Sequence, residues 1–282
     1  MIIFDLFDLH SKVEILDIGA AAINEIPIYK KLLEMDIGHL TAVEGDKRQM
    51  KKIEEFFGKD KVTFLNYFLF DGKEHKVYMC HPNSGMTSLF KPYRKALEFF
   101  NGFEIFGKVE QVIDVQTTRL DDVSDINKVD FLKMDVQGAE LEIMKNGDKK
   151  LRKCLAIQLE VTYFPLYENQ PSFGEIDLYL RSKGFLPHLF LENKKWSIAP
   201  TVFNNDYRVP GHQLLESDIV YIKNPLHLER LTNEELKKIA VMAHYLFKSL
   251  DLCVYILIEL EKRKILNVHS HTQYLKKIKL FS

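Results

Sequence analysis

The sequence predicts an α/β fold, a mostly parallel sheet with helices on both faces. Strand-like and helix-like patterns alternate along most of the chain. The apolar run Val129 to Met134 stops at Asp135, turns on Gly138 and enters a helical pattern through Ala139, Leu141, Ile143 and Met144. An earlier apolar run closes in the same way, in the glycine turn of LDIGAAA, Leu16 to Ala22. In open α/β sheets ligands sit at the carboxyl ends of strands, so both turns fall where a site is expected.

Taken in order, Val13 to Ile18 reads as the first strand, with only Glu14 and Asp17 interrupting its apolar character. Ile28, Leu32, Leu33 and Met35 then recur at helical spacing. Leu40 to Val43 is the second strand and ends at Glu44; Met50, Ile53, Phe56 and Phe57 suit a second helix. Val62 to Phe70 is a third strand region. Residues 81 to 109, which begin near PNSGM, break the alternation and read as an insertion of loop and helix. Phe131 to Asp135 and Leu155 to Glu160 are the next strands. Ile176 to Leu180 form a helix that stops at Gly184, and Phe185 to Leu191 and Asp218 to Lys223 close the sheet. After Pro225 the pattern is helical to the end, with Thr232-Asn233-Glu234-Glu235 as a helix start and a basic last segment. The expected organisation is a unit over 1–224 and a helical extension over 225–282.

Composition narrows the functional classes. The chain has 282 residues, 46% of them hydrophobic, enough to bury a sizeable core. A net charge of −1 gives no bulk attraction for nucleic acid. Cys80, Cys154 and Cys253 form neither a disulfide framework nor a zinc pattern, which suits a reducing compartment. The start lacks a basic region and a small-residue cleavage site, and no apolar stretch approaches the ~20 residues of a membrane span. A cytoplasmic protein is expected. The C-terminal helices offer a surface for a homodimer.

The first loop points to a nucleoside-bearing cofactor. Gly19 permits a tight turn and close backbone approach, Asp17 can accept hydrogen bonds, and Glu44 at the second strand end is placed for two ribose hydroxyls. A dinucleotide loop needs G-x-G-x-x-G, but Ala21 and Asn24 take the second and third glycine places. A phosphate cradle is therefore poorly supported, which weakens a nicotinamide dehydrogenase reading. S-adenosylmethionine has a ribose, an amine and no phosphate, and fits this loop better.

These residues resemble the FkbM family of S-adenosylmethionine-dependent methyltransferases over about Val13 to Lys223. LDIGAAA resembles the family's cofactor loop, and AVEGD, Ala42 to Asp46, its ribose-binding strand end. Thr118-Arg119-Leu120-Asp121 resembles the element before the fourth parallel strand, and DIVYIK, Asp218 to Lys223, the closing strand. VDFLKMDVQGAELEIMKN, from Val129 to Asn146, resembles the family's most specific signature. Ala21 departs from a common glycine and Gly45 from a usual proline. The resemblance implies a Rossmann-like class I methyltransferase fold with an antiparallel last strand. It also implies methyl transfer, usually to a hydroxyl of a sugar, lipid or natural-product scaffold.

An alcohol is a poor nucleophile, so a base or metal should help remove its proton. Asp135 is the first candidate for base or acceptor positioner, Glu160 at the next strand end the second, and His81 from the insertion the third. The expected cofactor-binding set is Asp17, Gly19, Ala20, Ala21, Glu44, Gly45, Asn66, Tyr67, Phe68, Asp135 and Gln137. A divalent metal held by Asp135 and Glu160 is the less favoured route, because two carboxylates are few ligands. Trp196, Tyr163, Phe164 and Tyr167 are candidates for an acceptor wall, and Lys133 and Glu140 are expected to pair structurally. The competing class is a non-catalytic module that keeps the fold and binds a nucleoside or a protein partner.

Overall fold

The structure is a computed structural model, and it describes residues 2–20, 26–49, 55 and 62–279. Its main sheet has seven strands in the order β3-β2-β1-β6-β7-β9-β8. They are β1 (Val13–Ile18), β2 (Gly38–Val43), β3 (Val62–Leu65), β6 (Phe131–Met134), β7 (Ala156–Thr162), β8 (Phe185–Trp196) and β9 (Gln213–Lys223). Strands β3, β2, β1, β6 and β7 pair in parallel, and β9 runs antiparallel to both β7 and β8. The order reverses between β1 and β6, so the carboxyl ends of these two strands flank the crevice where ligands of such sheets bind.

The predicted third strand is shorter than its apolar pattern suggested. β3 ends at Leu65, and the Phe70 and Thr118 amides bond to Thr118 and Phe68 carbonyls at 2.9 and 2.8 Å. The chain thus leaves the sheet edge to pair with the TRLD segment. Met50, Ile53, Phe56 and Phe57, expected to form a helix, lie outside the described residues.

The inserted segment, expected over 81–109, is flanked by two strands of a second sheet that the sequence reading missed. β4 (Glu74–Cys80) and β5 (Val109–Gln116) pair antiparallel, Val77 opposite Ile113, on either side of two short helices, α2 (Arg94–Phe99) and α3 (Phe103–Phe106). Phe100, Phe103, Leu166, Tyr167 and Leu215 form a small core that fastens this insertion over the carboxyl end of β7 and the amino end of β9. Trp196 joins it, its indole N–H donating to the Asn101 carbonyl at 2.8 Å.

Each face of the main sheet has its own core. On one face Leu16, Ile18, Leu132, Met134, Ile157 and Leu159 pack with α4 (Glu140–Lys145), α5 (Asp148–Leu151) and α6 (Phe173–Ser182). The other face buries Val13, Ile15, Leu40, Phe131, Val220 and Ile222 beneath α1 (Lys30–Glu34) and the C-terminal helices. These are α7 (Asn233–Met242), α8 (Leu250–Lys262) and α9 (Ser270–Lys277). α7 starts with a reciprocal capping box between Thr232 and Glu235. Lys238 on α7 is fully buried and reaches Asp130 at 2.6 Å, below the amino ends of β1 and β6, tying the C-terminal helices to the sheet. No helix among the described residues is long and apolar enough to cross a membrane. The three cysteines are free and buried.

Candidate functional site

The first turn is built by backbone crowding. Gly19 has φ +75°, and a Cβ there would lie 1.9 Å from the Asp135 carbonyl oxygen, so only glycine lets β1 and β6 turn out side by side. The Gly19 amide donates to the Val43 carbonyl at 3.0 Å and the Asp135 amide to the Ile18 carbonyl at 3.0 Å, locking three strand ends together. Ala20 follows, buried against this junction; Ala21 lies outside the described residues.

Asp17 is held below that turn. It accepts from the Tyr29 hydroxyl, and Lys133 on β6 stands 3.6 Å from its other oxygen, Oδ1, which is buried without a hydrogen-bond partner. Burial pushes the Asp17 carboxyl up, with Lys133 and Tyr29 opposing. Burial alone would lower Lys133, but Asp17, Asp135, Asp218 and Glu160 together hold it above its ordinary value. Lys133 does pair structurally, and Tyr29, which stands just ahead of the first helix and carries no signal in the sequence pattern, is the second clamp.

At the end of β2, Glu44 accepts the Asp46 amide at 2.7 Å and lines the cavity. Burial raises its pKa to about 7, against the Asp46 amide. The Asn66 amide donates to the Glu44 and Gly45 carbonyls at 2.7 and 3.1 Å, so Asn66 braces the turn from behind rather than lining the cavity. A Cβ on Gly45 would sit 2.4 Å from the Phe68 ring, which explains a glycine here: the ring lies flat against the backbone. Tyr67 and Phe68 do line the cavity.

The signature turn assembles a carboxylate pair around one amide. Gln137, at φ +56°, donates its side-chain N–H groups to Asp135 at 2.8 Å and to Glu160 at 3.0 Å. Its side-chain oxygen accepts from the buried Tyr167 hydroxyl at 2.6 Å, and its backbone carbonyl from Ser88 at 2.7 Å. Glu140 turns back to take the Val136 and Gly138 amides at 3.1 and 3.3 Å; burial lifts it to about 7 despite those bonds. Glu160 is driven well above the usual carboxylate range by burial and by Glu216 and Asp135, with Lys194 opposing. Lys194 lies 3.7 Å from Glu160 and 3.0 Å from Glu216. Lys194 and Glu216 face each other only because β8 and β9 pair in that register, so spacing along the chain could not have found them.

These groups converge on one cavity of about 760 Å³, a volume suited to a small molecule. Asp17, Gly19, Glu44, Asp135, Gln137 and Glu160 line one side, and His81, Ser84, Met86 and Thr87 of the insertion close over them. His81 is exposed at the rim, its ring nitrogen accepting the Asn83 amide at 3.2 Å. Of the four aromatics considered for an acceptor wall, Trp196 lines the cavity. Tyr163 packs on Phe173, Phe164 stacks on Phe99, and Tyr167 serves Gln137. Among the described residues no group of three or more His, Cys, Asp or Glu is arranged to hold a metal ion.

Comparison with curated proteins found no match. Among solved structures the chain is similar to a Thermoplasma acidophilum protein assigned as a methyltransferase, at 13% identity and a TM-score of 0.39 over 77% of this chain and 70% of that one. It is similar to the magnesium protoporphyrin IX methyltransferase of Synechocystis PCC 6803 at 10% identity and a TM-score of 0.38, over 76% and 71% of the two chains. A protein of Listeria monocytogenes serotype 4b aligns over 95% of this chain and 93% of its own, at 8% identity and a TM-score of 0.39. The family model described as the methyltransferase FkbM domain matches residues 17–187. That span is more than half of the chain and holds the Gly19 turn, Glu44 and the Asp135–Gln137 clamp, and this protein belongs to the FkbM methyltransferase family.

Proposed function

We propose that the protein transfers a methyl group from S-adenosylmethionine to a hydroxyl of a sugar-, lipid- or natural-product-like acceptor. The observation that carries this reading is the single cavity that joins a ribose-type carboxylate, Glu44, to the Asp135–Gln137–Glu160 clamp. The residues fit the cofactor. Glu44 presents a carboxylate on the cavity wall for ribose hydroxyls, Phe68 offers an apolar ring, and Asp17 has a buried acceptor atom without a donor. Bound there, S-adenosylmethionine would supply an electrophilic methyl group.

The protein's own part is alignment and proton removal. Gln137 holds two carboxylates at fixed positions, which keeps them from swinging apart by charge repulsion. Glu160, kept above the ordinary carboxylate range by burial and by Glu216 and Asp135, is the group we assign to take the hydroxyl proton. Asp135 then orients the hydroxyl. We assign His81, exposed at the rim of the cavity, to contact with the acceptor.

Isothermal titration with S-adenosylmethionine, S-adenosylhomocysteine and NADH tests the reading. Micromolar binding of the two sulfur nucleosides alone, lost roughly ten- to a hundredfold in Glu44→Ala, is the expected result. Binding of NADH would favour a dehydrogenase, and a folded protein that binds none of the three would favour a non-catalytic module. Asp135→Asn should keep cofactor affinity and lose turnover.

A further inference from the structure

One face of the sheet changes character along its strands. Beside the amino ends of β6 and β7, Phe131, Ala156, Val220 and Ile222 are buried and apolar, whereas beside the carboxyl ends of those two strands the same face becomes polar. Register places these polar groups side by side: Lys133 opposite Gln158, Glu160 opposite Asp218, and Lys194 opposite Glu216. All six line the cavity.

Their charges do not balance. Lys133 is engaged by Asp17, and Lys194 is shared between Glu160 and Glu216. Asp135 and Asp218 have no cation within ion-pair distance among the described residues, nor does Glu192 at the mouth. Gln158 provides an independent sign of a missing ligand. It is 5% exposed on the cavity wall and donates Nε2 to Asp218 at 3.3 Å, and its Oε1 is buried with no hydrogen-bond donor. A buried acceptor left empty is unfavourable and is satisfied when a donor enters.

We propose that the acceptor carries an ammonium group, received by Gln158 Oε1 together with the carboxylates of Asp218 and Glu216. An ammonium presents three donors and no acceptor, which matches a wall made of oxygen acceptors. It also adds a positive charge beside Asp218, which, like Asp135, has no cation at ion-pair distance among the described residues, and a phosphorylated or carboxylated acceptor would be repelled by the same wall. The proposal rests on the methyl-transfer reading of this cavity and narrows its acceptor class to amino-bearing alcohols, of which amino sugars are the compact case.

The test uses two probes with one ring skeleton. The full chain is first titrated with S-adenosylhomocysteine, and the saturated protein then with the disaccharide of glucosamine and with N,N′-diacetylchitobiose, at about pH 6.5, where an amine is protonated. The expected result is binding of the diamine roughly tenfold or more tighter than of its neutral diacetyl form, with the preference shrinking at high salt. Gln158→Met combined with Asp218→Asn should remove most of that preference and leave the S-adenosylhomocysteine affinity in place, which also reports that the variant is folded. Equal binding of the two sugars, a preference for the neutral one, binding of neither, or a preference that survives in the double variant would overturn the proposal. In the first three cases the acidic wall serves the cofactor's own positive charges. Loss of S-adenosylhomocysteine binding by folded wild-type protein is a different failure: it removes the methyl-transfer reading, and the acceptor proposal with it.

Discussion

Gly45→Ala should destabilise the protein through one ring. The new Cβ would meet three atoms of Phe68 at 2.4, 2.6 and 2.7 Å, where carbon atoms pack no closer than about 3.4 Å. The ring must retreat by roughly 1 Å from a turn whose carbonyls are held by Asn66. Overpacking of this kind costs about 1–3 kcal/mol. The assay is urea unfolding of four proteins: wild type, Gly45→Ala, Phe68→Ala and the double variant. Phe68→Ala removes the obstacle, so Gly45→Ala should cost less than about 0.5 kcal/mol in that background, and the cycle should show a coupling of 1 kcal/mol or more. Additive single effects, or a Gly45→Ala protein as stable as wild type, would refute the argument that the ring demands this glycine. The same displacement moves the cavity wall beside Glu44, so nucleoside affinity should fall in parallel with stability.

Two further outcomes follow from buried charges. Lys238→Met should cost about 3 kcal/mol in urea unfolding, because Asp130 would keep only Lys128 at 3.2 Å and the Glu14 amide at 2.9 Å. Adding Asp130→Asn should recover part of that loss, and full stability of the single variant would show that α7 does not need the ion pair. Glu140 is held at about 7 against an ordinary value of 4.5, so the folded protein binds this proton more tightly than the unfolded chain. Its contribution is therefore complete at low pH and is lost as pH rises from 4.5 through 7, by at most about 3 kcal/mol. Thermal melts across that window should fall less steeply for Glu140→Gln, and identical slopes would reject the assignment.

Much of this architecture was legible because local rules and global fold agree. Buried parallel strands read as apolar runs, so β1, β2, β6 and β7 were visible, and glycine or capping residues marked their turns. Asp17, Glu44, Asp135 and Glu160 were legible as site candidates because each lies at a strand's carboxyl end. β4 and β5 were missed. Their outward halves are polar, and their pairing partner lies across the inserted helices. The early end of β3 was hidden too, since Phe68, Leu69 and Phe70 look like a strand until Gly45 and Thr118 compete for them.

The sequence by itself determined the class of fold, the family and the turns on which the site is built, because these depend on periodicity and on residues close together in the chain. Tertiary structure alone decided what those residues do to one another. Tyr29 and Lys133 meet at Asp17, Tyr167 orients the amide of Gln137, and Lys194 comes between Glu160 and Glu216. It also laid the C-terminal helices on the sheet's amino-end half and left the carboxyl-end half polar and open. The reason is physical: strand order and register bring distant residues within 4 Å, and at that range charge and hydrogen bonding depend on position in space and not on separation along the chain.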